Sequence, residues 1–136
     1  MTIVIDASVA LKWVLPEPGQ AAADALLDED LMAPELWLLE AANALWRRVR
    51  RGEISGDEAE ERLSELRNAP VGSVAIGEDI AAAARLANAI AHPVYDCLYL
   101  ALAIRQNTHV VTADVRFHAA VRGTPALASA VRLLAP

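Results

Sequence analysis

Cysteine is nearly absent from the sequence, and residue spacings that bind zinc are missing. The single cysteine, Cys97, cannot form an internal disulfide, which fits a reducing, cytoplasmic environment. The three histidines, His92, His109 and His118, have no paired spacing and, with one cysteine, do not compose a zinc site. We interpret the histidines as ordinary surface or cap residues.

The sequence also lacks features that would direct it to a membrane. Its longest near-apolar passage, residues 86–104, contains Pro93 and Asp96, and the proline should divide it into two helices instead of one bilayer span. Met1 is not followed by a charged region and an apolar stretch, so we expect no secretory signal and no membrane partner.

Positive charge is scarce relative to negative charge. The chain carries 12 Lys and Arg against 18 Asp and Glu, so bulk electrostatics should not hold it on nucleic acid. Any chemistry on nucleic acid must therefore be local and assisted by a metal. Hydrophobic residues make up 55% of the sequence, which predicts one domain over residues 1–136 with a large core and apolar surface that a partner covers.

Apolar strands and helices alternate along the chain. Short apolar runs predict strands at residues 3–5, 31–33, 71–76, 109–112 and 130–134. Helical spacing is found at residues 7–15, 20–27, 35–51, 55–68, 79–91, 95–105 and 114–121. The helix at 95–105 is apolar nearly all round and belongs in the interior. This order predicts an α/β domain, a three-layer α/β/α sandwich around a central, mainly parallel twisted sheet.

Four carboxylates lie where an apolar interior should contain none. Asp6 ends the first strand, and Asp114 lies two residues past a later one. Glu40 interrupts an apolar helix, and Asp96 opens the most apolar helix. Because parallel strands end on the same side of a sheet, Asp6 and Asp114 should emerge together if their strands are neighbours. Asn43 follows Glu40 by three residues and shares its helix face.

Clustered acids without cations in range need a metal to offset their repulsion. Two carboxylates about 4 Å apart repel by roughly 4 kcal/mol at an effective dielectric near 20. Oxygen ligands without His or Cys select a hard cation such as Mg²⁺ or Mn²⁺. The hydroxyls of Ser8 and Thr112 add groups that can hold a metal-bound water or a phosphate oxygen.

The same acids also have separate, structural explanations. Asp6, Asp96 and Asp114 are each placed to cap a helix N-terminus, and Glu40 is tolerable on a helix surface. A receiver-like phospho-acceptor domain would also group acids at strand ends, but a single Asp6 with Glu40 on a helix fits that pattern poorly.

Four short motifs, in order, resemble the PIN domain family and, within it, the small VapC toxins of bacterial toxin–antitoxin pairs. The motifs are Val-Ile-Asp-Ala-Ser at 4–8, Glu-Ala-Ala-Asn at 40–43, Tyr-Asp at 95–96, and Thr-Ala-Asp at 112–114 followed by Phe117. The resemblance extends over essentially the whole chain.

The resemblance implies a Mg²⁺- or Mn²⁺-dependent endoribonuclease, a hydrolase that a cognate antitoxin inhibits by occupying the site or its approach. The metal ligands and catalytic acids would be Asp6, Glu40, Asp96 and Asp114. Thr112 would complete the catalytic set, and Ser8 and Asn43 would support it. The alternative is a non-catalytic, metal-containing module of the same fold that binds a partner.

Basic residues are open to an RNA-binding and a structural explanation. The third predicted helix ends with four arginines at residues 47–51, which suit a helix C-terminus but are more than capping needs. Lys12, Arg85 and Arg116 are further candidates to guide RNA, with salt bridging as the alternative.

The apolar surplus predicts self-association, as a homodimer, and an apolar groove for a partner helix. We expect residues 7–27 and the helices at 35–51 and 55–68 to form the walls of that groove. Trp13, Trp37 and Trp46 are possible anchors, and a core position for each is the alternative.

Overall fold

The computed structural model describes residues 2–136, in which five strands form one parallel sheet. The strands are β1 (Thr2–Ile5), β2 (Asp30–Pro34), β3 (Val71–Val74), β4 (Val110–Thr112) and β5 (Val131–Leu133). Their order across the sheet is β3-β2-β1-β4-β5, with every pairing parallel. The predicted parallel sheet is confirmed, and β1 is its central strand.

Helices connect the strands and cover the sheet. Within residues 2–136 the α-helices are α1 (Ala7–Ala10), α2 (Gln20–Ala25), α3 (Trp37–Arg50), α4 (Gly56–Arg67), α5 (Ile80–Ile90), α6 (Val94–Arg105) and α7 (Val115–Arg122). A 3₁₀ turn at Leu11–Trp13 continues α1. The N-terminus of α4 is capped, because the Ser55 side chain accepts a hydrogen bond from the Glu58 backbone N–H.

Helix α6 lies in the core, as its apolar sequence predicts. It contacts β1, β2 and β4, and the side chains from Cys97 to Ala103 are buried. The chain breaks before it at Ala91, which adopts a left-handed conformation, and Pro93 occupies the N-cap position. No single helix within residues 2–136 is long and apolar enough to cross a membrane. Residues 77–90 and 94–105 reach the length and hydropathy of a membrane span only when they are taken together, and the two segments are bent by 113° at the break between them.

The register of the sheet sets the position of the acids. Strand β1 lies beside β4, with Ile5 paired to Val111, and the Asp6 N–H donates to the Val111 carbonyl at 3.0 Å. Both strands therefore end at one edge of the sheet, with Asp6 after β1 and Asp114 just beyond β4. The expectation that these two acids emerge together is confirmed.

One expectation about surface residues is wrong, and for Trp37 the core alternative is confirmed. His109 is only 6% exposed, because it leads into the buried strand β4 and its carbonyl accepts the Val4 N–H. Its burial lowers the pKa of the imidazole. Trp37 is buried, with its indole N–H donating to Ser73, so it is a core residue and not an anchor at the surface.

The other two tryptophans differ from each other. Trp13 is partly buried, and its indole N–H donates to the Ala23 carbonyl at 2.8 Å, which ties the 3₁₀ turn to α2. Trp46 on α3 is 57% exposed. Of the three candidate anchors, Trp46 alone has most of its side chain on the surface.

Candidate active site

A cavity of about 540 Å³ opens where β1 and β4 end, between the first turn of α6 and one face of α3. This volume is within the range of ligand-binding pockets. Six of the seven predicted site residues line it: Asp6, Ser8, Glu40, Asn43, Asp96 and Asp114. The seventh, Thr112, is fully buried behind Asp6.

Asp6 is the most deeply placed of the four acids, with 6% of its surface exposed. The hydroxyls of Ser8 and Thr112 each donate a hydrogen bond of 2.7 Å to its Oδ2 atom. Burial raises the pKa of Asp6 from 3.8 to about 6, the two hydrogen bonds oppose the rise, and the charges of Asp96 and Asp114 add to it. The two hydrogen bonds therefore fix the Asp6 side chain in place, while burial disfavours its ionised form.

The two hydroxyls join the ends of β1 and β4. The Ala113 N–H donates to Ser8 Oγ, and the Asp114 N–H donates to Thr112 Oγ1, both at 3.0 Å. Because each hydroxyl has one hydrogen and gives it to Asp6, neither is free to donate to a water or a phosphate oxygen. Thr112 therefore positions Asp6, which differs from the direct catalytic role that we expected for it.

Glu40 is bound by a side chain that the sequence did not single out. The Tyr99 hydroxyl, from the buried helix α6, donates to Glu40 Oε1 at 2.5 Å. Burial raises the pKa of Glu40 from 4.5 to about 7, against the hydrogen bond from Tyr99, while Asp6 and Asp96 add to the rise and Arg47 reduces it. The explanation of Glu40 as a tolerated surface residue is wrong.

Asp96 has an unexpected partner in His92. The distance from His92 Nε2 to Asp96 Oδ2 is 2.6 Å, and the imidazole lies against the buried ring of Phe117, with centroids 5.2 Å apart. The four-residue spacing would suggest a helical pair, but Pro93 starts a new helix between the two residues. This contact depends on the left-handed turn at Ala91, which sequence spacing does not reveal.

Asp114 both caps a helix and belongs to the cluster of acids. Its Oδ1 atom accepts the N–H groups of Arg116 and Phe117 and caps α7, while the residue also lines the cavity. Asp6 occupies the N-cap position of α1, but its side chain makes no capping hydrogen bond. Asp96 lies inside the first turn of α6. Capping thus accounts for Asp114 only.

The four acids share a pattern of hydrogen bonding that suits a hard cation. Each uses one carboxylate oxygen: Oδ2 of Asp6, Oε1 of Glu40, Oδ2 of Asp96 and Oδ1 of Asp114. Within residues 2–136, no hydrogen bond reaches the second oxygen of any of them. In this part of the chain, no three His, Cys, Asp or Glu side chains are arranged to hold a metal ion. The suitability of the four acids for a hard cation therefore rests on their oxygen donors and on their shared negative charge.

The rim of the cavity contains residues that were not predicted as site residues, although Arg47 is one of the four arginines considered above for RNA binding. Arg47, Leu36, Leu39 and Tyr95 line it together with the acids, and Leu39 and Tyr95 are 68% and 63% exposed. Arg47 follows Glu40 by seven residues, which is close to two helical turns and places both on one face of α3. From the sequence, this spacing could have placed Arg47 beside the predicted acid site.

Of the basic residues with a proposed RNA-binding role, Arg47 lines the cavity, whereas Lys12, Arg85 and Arg116 lie elsewhere. Lys12 forms a salt bridge with Glu17 at 3.6 Å, and Arg85 lines a different cavity, between α5 and α6. Neither of them lines the acidic cavity, and nor does Arg116. The salt-bridging alternative is confirmed for Lys12.

Comparisons with known proteins agree with the fold and the order of the motifs. The PIN domain family matches residues 3–123. Ribonuclease VapC3 of Pyrobaculum aerophilum is 33% identical over 120 residues, which cover 84% of this chain and 90% of that protein.

Solved structures share the architecture at lower identity. PAE2754 from Pyrobaculum aerophilum matches with a TM-score of 0.72 and 23% identity, over 91% of this chain and 82% of that one. VapBC2 from Rickettsia felis, bound to a DNA fragment from its promoter, matches with a TM-score of 0.69 and 12% identity, over 99% of this chain and 100% of that one. A toxin–antitoxin complex from Klebsiella pneumoniae matches with a TM-score of 0.60 and 16% identity, over 90% of this chain and 97% of that one. By its sequence and its fold, this chain belongs to the PIN domain family, as a VapC-type member.

Proposed function

We propose that this chain is a divalent-metal-dependent endoribonuclease that hydrolyses RNA phosphodiester bonds and acts as the toxin of a toxin–antitoxin pair. The relative named as a ribonuclease supports the reaction class, and the complexes among the structural neighbours support an antitoxin partner. We further propose that the chain acts in the cytoplasm and forms a homodimer.

One observation carries the proposal. Four carboxylates from four separate parts of the chain line one cavity, and two of them, Asp6 and Glu40, have pKa values raised by burial and by the charge of neighbouring acids. Burial and mutual repulsion of these charges cost the fold stability. A bound cation offsets this cost, which is why we assign Mg²⁺ or Mn²⁺ to these four residues.

The chain's own groups prepare this site for hydrolysis. Ser8 and Thr112 hold the Asp6 carboxylate, and Tyr99 holds that of Glu40, so the free oxygens of both acids keep fixed directions. Asp6, Glu40, Asp96 and Asp114 would hold the cation, which would supply a more acidic attacking water and positive charge against the scissile phosphate and the leaving oxygen.

A cleavage assay tests the proposal. Purified chain is incubated with labelled single-stranded RNA in Mg²⁺, in Mn²⁺ and in EDTA, and Asp6→Asn is compared with Glu29→Gln, which changes an exposed acid in the bend before β2. We expect cleavage that requires the metal, is lost in Asp6→Asn and is retained in Glu29→Gln. Cleavage by the Asp6 variant, or cleavage in EDTA, would contradict the assignment. Metal binding without any cleavage would favour the non-catalytic partner-binding module.

A further inference from the structure

An exposed aromatic ring lies at the mouth of the acidic cavity. Tyr95 immediately precedes Asp96 in the first turn of α6, lines the cavity and is 63% exposed. Its hydroxyl forms no hydrogen bond within residues 2–136, in contrast to that of Tyr99, which is bound to Glu40. Leu39, another residue of the cavity wall, is 68% exposed. The mouth therefore presents an exposed aromatic ring and an exposed apolar side chain beside a strongly charged interior.

A single cation lies among the lining residues. Arg47 is on the same face of α3 as Glu40, and within residues 2–136 it forms no salt bridge. Of the nearby arginines, Arg48 pairs with Glu17 and Arg51 with Glu53, whereas Arg50 is exposed and lies outside the cavity lining. Arg47 thus keeps a guanidinium available at the cavity.

From this juxtaposition we propose that Tyr95 and Arg47 form a subsite for one nucleotide of single-stranded RNA, next to the scissile phosphate. The Tyr95 ring stacks on an unpaired base, and the Arg47 guanidinium binds a backbone phosphate. This inference rests on the proposed ribonuclease function and adds a substrate-positioning element to it.

The chemistry of the surface favours a nucleotide over a protein segment. The chain has a net charge of −6, so a polyanion must find its positive charge locally, and Arg47 provides it where the acids converge. Aromatic rings bind bases of single strands by stacking, whereas a base within a duplex is not accessible to such a ring. The subsite therefore requires an unpaired nucleotide and does not depend on which base it carries.

Two matched pairs of variants test the subsite. Tyr95→Ala is compared with Trp46→Ala, which removes another exposed aromatic residue outside the cavity lining. Arg47→Gln is compared with Arg50→Gln, which removes an exposed arginine near the end of the same helix but outside the lining. The probes are a fluorescein-labelled oligouridylate and the same oligomer with abasic positions. Binding is measured by anisotropy in Ca²⁺, and a gel verifies that the RNA stays intact.

We expect Tyr95→Ala to weaken binding of the oligouridylate by about tenfold and to leave binding of the abasic oligomer unchanged. Tyr95→Phe, which keeps the ring, should recover most of the lost affinity. Arg47→Gln should weaken both probes equally and reduce the slope of log affinity against log salt by about 0.7, the value for one phosphate contact on a single strand. Trp46→Ala and Arg50→Gln should change neither quantity.

Several results would overturn the subsite. Equal losses for both probes in Tyr95→Ala would show that the ring does not stack on a base. Equal effects of Arg50→Gln and Arg47→Gln would show that Arg47 acts only through the overall charge of the protein and not through a phosphate contact. If Tyr95→Ala impairs binding of the antitoxin but not of RNA, the surface is a protein contact. The proposed ribonuclease function fails separately, through absence of metal-dependent cleavage by the wild type, whatever these binding experiments show.

Discussion

Replacing Asp6 by Asn should stabilise the metal-free protein at neutral and alkaline pH while abolishing its response to Mg²⁺. The amide oxygen of Asn can accept the same two hydrogen bonds from Ser8 and Thr112, so the local structure should persist. What changes is charge: the variant no longer ionises a buried group surrounded by other acids. Most substitutions of buried residues destabilise a protein, so a gain in stability would distinguish removal of a repelled charge from ordinary damage to the fold.

The magnitude follows from the pKa of Asp6, which is raised from 3.8 to about 6 in the folded protein. A folded-state pKa above the unfolded value gives a stabilising contribution that is complete below the unfolded pKa and is lost as pH rises through the folded pKa. The loss amounts to about 3 kcal/mol in total, at 1.36 kcal/mol per pKa unit. Roughly 1.4 kcal/mol of it falls between pH 5 and pH 8. The raised pKa of Glu40 acts in the same direction.

Urea unfolding in EDTA at several pH values between 5 and 8 measures this loss. The difference between wild type and Asp6→Asn contains the Asp6 contribution together with the part of the Glu40 pKa shift that the Asp6 charge causes, whereas effects of distant groups such as His109 are common to both proteins. For a dissociation constant of about 1 mM, about 10 mM Mg²⁺ should add roughly 1.4 kcal/mol to the wild type at pH 8. It should add much less at pH 5, where protons compete for the acids. A difference between the two proteins that does not change with pH, or an unchanged Mg²⁺ response in Asp6→Asn, would refute the reasoning.

Three further changes have defined outcomes. His92→Leu removes the partner of Asp96 and should lower Mn²⁺ affinity by about 10- to 100-fold in a calorimetric titration, with partial recovery in His92→Gln. Tyr99→Phe removes a donor that favours ionised Glu40, so the pH midpoint of Mn²⁺ binding should move upward, and a midpoint that stays or falls would contradict this. Trp37→Ala should cost about 3–5 kcal/mol in urea unfolding, whereas Trp46→Ala should cost little, and similar costs would contradict the assigned burial.

The order of strands and helices was predictable because the apolar residues of the elements form either continuous runs or a helical spacing. Helix α6 is apolar nearly all round and is buried, and the β-branched run at 3–5 forms the central strand. The convergence of Asp6 and Asp114 followed from the geometry of parallel strands. Glu40 and Asp96 were identified because a charged residue in an apolar segment costs free energy that function must justify.

The supporting contacts could not be predicted, because they join residues that are distant in sequence or separated by a turn. The bond from Tyr99 to Glu40 spans 59 positions, and tyrosine in an apolar helix is compatible with a purely core role. The contact of His92 with Asp96 needs the left-handed turn at Ala91, and a non-glycine residue in that conformation is uncommon. For the same reason the sequence placed Thr112 in the catalytic set, whereas in the structure the hydrogen of its hydroxyl goes to Asp6.

The central claim is that Asp6, Glu40, Asp96 and Asp114 act as one cation site, and direct measurement of Mn²⁺ binding tests it. Free Mn²⁺ is followed by electron paramagnetic resonance during titration of the wild type, of the four single Asn or Gln variants and of Glu29→Gln. We predict saturable binding at pH 8 that each of the four substitutions weakens by at least about tenfold, at a cost of 1.4 kcal/mol or more, and that Glu29→Gln preserves. Binding that survives any one of these substitutions at full affinity would remove that residue from the site. Unchanged binding in all four variants would contradict the account.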